Sequence, residues 1–583
     1  MTLSPVSRDA AAPEPDPVPD AAPPPPAASG HPSRTLARAF GITAVLSVAG
    51  SLLGLARDLV LARYFGAGRE TDAFLVAWSV PETAAPLLID SAMPLLMLPA
   101  FSAALASRRS PVGPDPHPAL PHDPQSVTAA GPVDPVPALV LATLPRLCLL
   151  LTLLSSVTWL GAPSVVALLA PGLHDPALAV TCTRFTATTV FFFGLAGYLS
   201  AGLRAHQHFT APAAVYTAYN TGILITVVLT HGSLGIRAAA LGVAVGSLLM
   251  VVTVLPAFHR RCCRLTSLKR RPGADRSLAA VTLSLQALVP VVAFALTRQS
   301  QVYIERYLGS GLPSGTISHL NYAEKVAQMP MAIAVMISTI TLPLIARAMA
   351  EGDTERARDQ VEKDLVLVSA ITLAATAFLV ACAPQILALL FQHGAFDAAD
   401  TSASAAVMRI FSLGLLGQAL VGATARPFFS ARPMARFADS TPAGGQGTNL
   451  SGWIPTAAMG LGLAVTAAVS LLTAPRYGAP GLAAGNAVGI TLTAALLLGG
   501  LRARGIPVTL TRVAARLSRL CAAAACATGA ALCAAHFAGP DPLPVVLLVG
   551  SVTVVVFGTT AWLFGVHELR APLLALAGRR GKA

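Results

Sequence analysis

The chain has 583 residues, 54% of them hydrophobic and only 11% charged. A soluble globular protein carries roughly 25% charged residues, so a fully water-facing surface is excluded and lipid must cover much of the molecule. The net charge of +13 would suggest nucleic acid on a soluble protein. With a mean hydropathy of +0.66 it instead reads as basic loops on the cytoplasmic side of a membrane, and no nucleic-acid partner is expected.

The basicity is almost all arginine, with lysine only at Lys269, Lys325, Lys363 and Lys582. The eight cysteines sit mostly in apolar runs and lack metal-ligand spacing, so they read as small hydrophobes and no metal site is expected. No GxxxxGK[ST] stretch occurs, which argues against direct ATP drive. No soluble-enzyme constellation is present either, so a transporter is expected rather than an enzyme.

In chain order, residues 1–36 form a disordered cytoplasmic tail, rich in Pro, Ala and Asp and without an apolar run. A membrane span needs about 20 apolar residues. Segmenting at charge and turn clusters gives fourteen: 38–64, 71–104, 137–169, 177–203, 210–231, 234–257, 278–308, 316–348, 364–391, 400–428, 453–474, 478–501, 509–537 and 542–566. The second and eighth hold internal prolines (Pro81, Pro86 and Pro94; Pro330 and Pro343) and are expected to kink. Loop 107–135 is Pro-rich and expected to be disordered. The stretch HGAFDAAD, 393–400, reads as a turn with Asp397 and Asp400 at a helix start.

Basic residues orient the count. With the N-terminus in the cytoplasm, one set of connections holds most of the arginines, including Arg108, Arg109, Arg204, Arg260, Arg261, Arg264, Arg270 and Arg271. The other set offers Arg63, Arg69, Arg237, Arg306 and Arg476. Both termini are therefore expected in the cytoplasm of a multi-pass inner-membrane protein.

The stretch RYFGAG at 63–68 returns as RYLGSG at 306–311, 243 positions later. Gly235, Gly242 and Gly246 map onto Gly478, Gly485 and Gly489 at the same offset. The offset drops to 220 where GLAGYLSAG, 194–202, meets GLLGQALVG, 414–422, as expected if loop 107–135 is an insertion. The fold class expected is an all-α polytopic membrane protein: two parallel six-helix repeats plus two C-terminal helices. The boundaries are a lobe at 37–258, a basic linker at 259–277, a second lobe at 278–504 and an added helix pair with its tail at 505–583. Parallel repeats about the membrane normal are a transporter arrangement, with a central cavity between rocking lobes.

Ionisable residues inside a membrane are costly and functional by default. They are densest in the first two spans of each repeat. Arg57 and Lys325 are expected to give the cavity cationic points, with Asp58, Asp72, Asp90, Arg298 and Glu324 beside them, a lining suited to phosphate or pyrophosphate. Arg57 has Asp58 or Asp72 as its expected partner. Arg146 and Arg184 are read as snorkelling, and Glu305 and Arg306 as residues of the outer membrane surface.

The stretches GLARDLVLARYFGAGRETDAFLVAWSVP (54–81), GSGLPSGTISHLNYAEKVAQMPMAIAVMISTITLP (309–343) and LALLFQHGAFDAAD (387–400) resemble the MurJ/MviN family of lipid II flippases. The resemblance covers roughly residues 38–570. It implies the multidrug/oligosaccharidyl-lipid/polysaccharide exporter fold. It also implies movement of a polyprenyl-pyrophosphate-linked peptidoglycan precursor between leaflets by alternating access, with the lipid tail in a groove near 509–537 and 542–566. Arg57 and Asp58 match the family's Arg-Asp pair. The resemblance implies further arginines where this chain has Ser51, Ala85 and Pro86, and an Asp-Arg pair where it has Glu324-Lys325. The partners implied are a lipid-linked anionic substrate, membrane lipids and cell-wall synthesis proteins. No cofactor is expected; membrane potential or an ion gradient would drive the cycle. Two alternatives stand beside this: an exporter of another lipid-linked or small amphiphilic substrate, and a non-transporting cell-wall scaffold.

Overall fold

The computed structural model describes residues 34–109, 134–262, 275–331, 353–430, 453–501, 508–539 and 541–566. The tail before residue 34, most of loop 107–135, residues 263–274 of the basic linker, residues 332–348 of the eighth expected span and loop 431–452 lie outside them. Every described element is a helix. In chain order these are α1 (Arg34–Phe65), α2 (Arg69–Ala84), α3 (Met93–Arg109), α4 (Pro135–Leu160), α5 (Ala162–Leu169), α6 (Pro176–Ala205), α7 (Thr210–Ala213), α8 (Val215–Leu234), α9 (Arg237–Cys262) and α10 (Asp275–Ser310). There follow α11 (Thr316–Ala327), α12 (Thr354–Phe391), α13 (Ala398–Ser412), α14 (Leu415–Ser430), α15 (Ile454–Tyr477), α16 (Ala479–Gly500), α17 (Leu510–Phe537) and α18 (Pro542–Leu563).

Among the described residues, each expected span falls on helix. Ten are long and apolar enough to cross a membrane on that ground alone, and α13 with α14 makes an eleventh, bent by 47°. The expected spans on α8, α10 and α11 fall short of that standard among the described residues. Asn220 on α8 and Arg298 and Glu305 on α10 lower the apolarity of those helices where the site is built, and α11 is described over only 12 residues. The expected proline kink in the second span takes a specific form. Between α2 and α3 the chain runs as a π-helix, Ala85–Ala92, a wide turn that accommodates Pro86 without a chain break.

Packing follows the duplication. In the first half α8 lies along α9 and α6 along α9 and α2; in the second, α15 lies along α16. Both helix pairs close on small residues. A Cβ on Gly246 of α9 would sit 2.5 Å from the Tyr219 carbonyl oxygen of α8. A Cβ on Gly489 of α16 would sit 2.5 Å from the Gly462 carbonyl oxygen of α15. The turns joining these pairs share one backbone conformation, with Gly235 at φ 56°, ψ −141° and Gly478 at φ 62°, ψ −135°. A positive φ of this kind is strained for residues with a Cβ.

One apolar core fills the first half around Phe74, Phe101, Tyr198 and Phe258. A second, around Tyr322, Phe391 and Phe396, takes in Ala62 of α1 and Val545 of α18, so it bridges both halves and the added helix pair. That pair packs against α12. Outward faces carry exposed Leu, Val and Trp residues, such as Leu149, Leu153 and Leu472, as lipid contact requires.

Candidate functional site

The site lies on the seam between the halves, and α2 with its π continuation is its spine. From Asp72 through Trp78 and Glu82 to Asp90, four side chains span about 27 Å of axis at 1.5 Å per residue. Each meets a different partner set.

At one end the seam is shut. The N-terminus of α11 has Gly315 as its cap, at φ 91°, with no capping side chain of its own. Asp72 supplies the cap from the other half. Its Oδ2 accepts from Gly315 N (2.6 Å), and its Oδ1 accepts from Ser318 N (2.8 Å) and Ser318 Oγ (2.5 Å). Asp72 is buried, and its carboxyl oxygens meet the free donors and the positive end of the α11 dipole. Next to it, the two turns singled out in the sequence meet each other. Ala395 N donates to Arg63 O at 2.9 Å, and Ala67 N donates to Asp400 Oδ2 at 3.3 Å. His319 Nε2 lies 3.0 Å from Asp400 Oδ1. Asp397 and Asp400 do start a helix, forming a reciprocal capping box on α13, and Asp400 serves the seam as well.

In the middle, Arg57 is fixed on three sides. Its Nε and Nη2 donate to Asp58 Oδ1 at 2.9 and 2.7 Å, and its Nη1 donates to Asn220 Oδ1 at 3.1 Å. Its guanidinium lies 4.6 Å from the centre of the Trp78 ring, a cation–π contact. Asn220 Nδ2 donates in turn to Gly50 O at 3.0 Å, which ties α8 to α1. Of the two partners expected for Arg57, Asp58 is the one it has.

A cleft runs from Arg57 past Trp78 and Tyr322 to Lys325. Lys325 Nζ donates to Glu82 Oε1 at 3.4 Å, and Arg306 Nη2 lies 3.9 Å from Glu82 Oε2. The adjoining Thr83 hydroxyl bonds the Tyr303 hydroxyl, and Gln299 Nε2 donates to the Glu82 carbonyl at 2.7 Å. Glu305 and Arg306, expected at the outer membrane surface, are 4% and 2% exposed and packed between helices rather than on an outward face. The apolar spacing around them was legible; their burial depends on α2 and α16, whose Asn486 Nδ2 donates to Glu305 Oε1 at 2.8 Å. Glu324 accepts from Gln328 Nε2 at 2.6 Å. Arg298 is exposed on α10 and makes no hydrogen bond or ion pair among the described residues.

Toward the opposite end the wall opens into a cavity of about 500 Å3, floored by Arg57 and lined by Ser47, Ser51, Arg204, Tyr216 and Asn220 among others. Asp90 accepts from Tyr216 Oη at 2.9 Å. Ser51, where the resemblance implies an arginine, lies in this wall; Ala85 and Pro86 open the π-helix. Arg146 and Arg184 stand apart from the seam. Both are exposed, and Arg184 rests 5.1 Å from the Trp159 ring centre.

The structure thus brings Arg57, Asp58, Lys325, Asp72 and Asp90 to one seam, with Asp72 in its closed end. Sequence reading counts Glu82 among the charges of the second span without giving it a site role, and it missed Trp78, Asn220, Arg204, Tyr216 and Arg306 as members of the seam. Asn220 was the visible signal, a carboxamide in an otherwise apolar run. The seam is also less cationic than expected: Arg57, Lys325 and Arg306 each face a carboxylate.

The family model described as Lipid II flippase MurJ matches residues 61–436, more than half of the chain. The chain belongs to the lipid II flippase MurJ family. A family member from Burkholderia cenocepacia, "Lipid II flippase MurJ", is 28% identical over 79% of this chain and 84% of its own length. One from Rhizobium meliloti, "Probable lipid II flippase MurJ", is 25% identical over 81% of each. Among solved structures, "Lipid II flippase MurJ, inward closed conformation" superposes with a TM-score of 0.67 at 16% identity, over 90% of this chain and 98% of that one. An inward-facing multidrug resistance MATE family transporter of the MOP superfamily superposes with a TM-score of 0.56 at 14% identity, over 82% and 98%. The fold is therefore that of MurJ and MATE transporters, as the resemblance implied.

Proposed function

We propose that this chain is a flippase that moves a polyprenyl-pyrophosphate-linked peptidoglycan precursor, lipid II, across the bacterial cytoplasmic membrane by alternating access. The observation that carries the reading is the asymmetry of the seam: Asp72 and Asp400 hold one end shut, while the cavity floored by Arg57 extends to the other. One closed and one open end define a single state of an alternating-access cycle. Family membership supplies the substrate class. The positive-inside distribution supports a cytoplasmic position for both termini, and with them the open end. Residues 37–258 and 278–504 act as the rocking lobes. The pair at 505–583 packs on α12 of the second lobe and offers an apolar face to the lipid tail. Membrane potential or an ion gradient drives the cycle, and the chain catalyses no covalent chemistry.

Depletion of the resident flippase in a bacterium expressing this chain tests the reading. Rescue of growth and of lipid II at the outer leaflet is expected, with loss on Arg57→Ala. Rescue that survives Arg57→Ala would remove Arg57 from the head-group path. A second reading, export of a small cationic amphiphile, is favoured by one specific observation: Glu82, Glu305, Glu324, Asp58 and Asp90 crowd the same seam as the cations. Drug efflux without rescue would select it.

A further inference from the structure

Glu82 is the carboxylate on which the cations of the second half converge. It sits on α2, directly after Pro81, and reaches across the seam to α11 and α10. Both contacts are long for charge-assisted bonds, 3.4 Å to Lys325 and 3.9 Å to Arg306; a well-made N–H···O pair of ions is nearer 2.7–2.9 Å. Its Oε2, although buried, has no hydrogen-bond partner, and the Nε of Arg306 is likewise buried without one. Two cations and one carboxylate are thus held together by position rather than by fitted bonds. Lys325 keeps about a third of its side chain exposed, toward the cleft that begins at Arg57.

We propose that Glu82 is a resident counter-anion, occupying the place that a phosphate group of the substrate takes when it enters the cleft. A diphosphate brings more acceptor oxygens than one carboxylate. It can satisfy Lys325, the idle Nε of Arg306 and the far side of the cleft together, while Glu82 turns aside. The ion pair guards the buried Arg306 and the half-buried Lys325 in the empty protein, where leaving them bare would be costly. It also makes binding conditional: a neutral or singly charged ligand gains too little to break it. Because Glu82 is on one half and its partners on the other, displacement loosens the seam at mid-height, which links arrival of the anion to lobe movement. This rests on the anionic substrate class proposed above.

The test uses the purified full-length chain in lipid nanodiscs. With only four lysines in the sequence, acylation of Lys325 by an amine reagent can be read by peptide mass spectrometry against Lys363, which is exposed. Glu82→Gln should raise Lys325 acylation several-fold relative to Lys363 with no ligand present. A long-chain polyprenyl diphosphate should bind Glu82→Gln about tenfold tighter than the wild type, the scale of one released charge pair, and should slow the acylation. Inorganic pyrophosphate should show the same order more weakly. Adding Lys325→Met should remove most of the gain. Glu82→Asp, which keeps the charge on a shorter arm, should fall between the two and serves if Glu82→Gln does not fold.

Unchanged Lys325 reactivity in Glu82→Gln would overturn the pairing. Equal or weaker diphosphate binding by Glu82→Gln, with reactivity raised, would overturn the displacement. If Lys325 responds to Glu82→Gln but neither chain binds diphosphate, the substrate class fails and displacement falls with it.

Discussion

Asp72 accepts three hydrogen bonds from one turn of a helix in the other half, whose own cap residue, Gly315, has no side chain to offer. The α11 N-terminus would otherwise leave donors unmet in a buried place. Asp72→Ala should lower stability by about 2–4 kcal/mol, the usual range for opening a buried charged network, read from the thermal midpoint in detergent. Asp72→Asn keeps an acceptor oxygen and should lose about half of that. The same variants should favour opening of the closed end, since the lost bonds join the two halves there. Arg57 makes a different case. Arg57→Lys keeps the charge but loses the fork that serves Asp58 and Asn220 and weakens the stacking on Trp78. Complementation should fall at least tenfold, while the thermal midpoint moves by less than for Asp72→Ala.

Among the elements, the glycine-seamed pairs α8–α9 and α15–α16 repeat one solution in both halves. Gly489→Val would drive a Cβ into Gly462 O and the Thr466 hydroxyl; Gly246→Val would drive one into Tyr219 O. Each should cost about 1–3 kcal/mol by overpacking, measured as a drop in thermal midpoint. Gly232→Ala, whose Cβ would meet nothing within 4 Å, should leave it unchanged. These glycines were readable in advance because backbone approach demands the same residue in both copies. The capping box at 397–400 was readable for a similar reason, since its bonds are local. Glu82, Arg306 and Asn220 were not. Their partners lie 243, 224 and 163 positions away, and nothing in a helix's own periodicity says which charge stands opposite. The internal prolines foretold an irregularity in the second span, but not that it would take the form of a π turn.

For the whole molecule, the seam describes one of at least two arrangements. In a chain cleared of its native cysteines, Ser47→Cys in the cavity wall should react readily with a soluble maleimide. Ser318→Cys in the shut end should react slowly, and only from the outer face. A ligand or variant that opens the shut end should reverse that order. Labelling of Ser47→Cys from outside intact cells, with Ser318→Cys protected, would instead turn the proposed orientation over. The legible part of this architecture was the part written twice. What makes it work as a machine lies in contacts between the copies, where the two sequences have diverged and each half answers to the other.

The π turn at Ala85–Ala92 bears on how such a spine could move. It stores one surplus residue between two rigid helical stretches. Letting that residue slip into register would wind everything below it by about 100° around the axis. Asp90 would swing off Tyr216, while Asp72 and Trp78, above the slack, would stay where they are. A single helix would thus uncouple its two ends, like a swivel in a taut line.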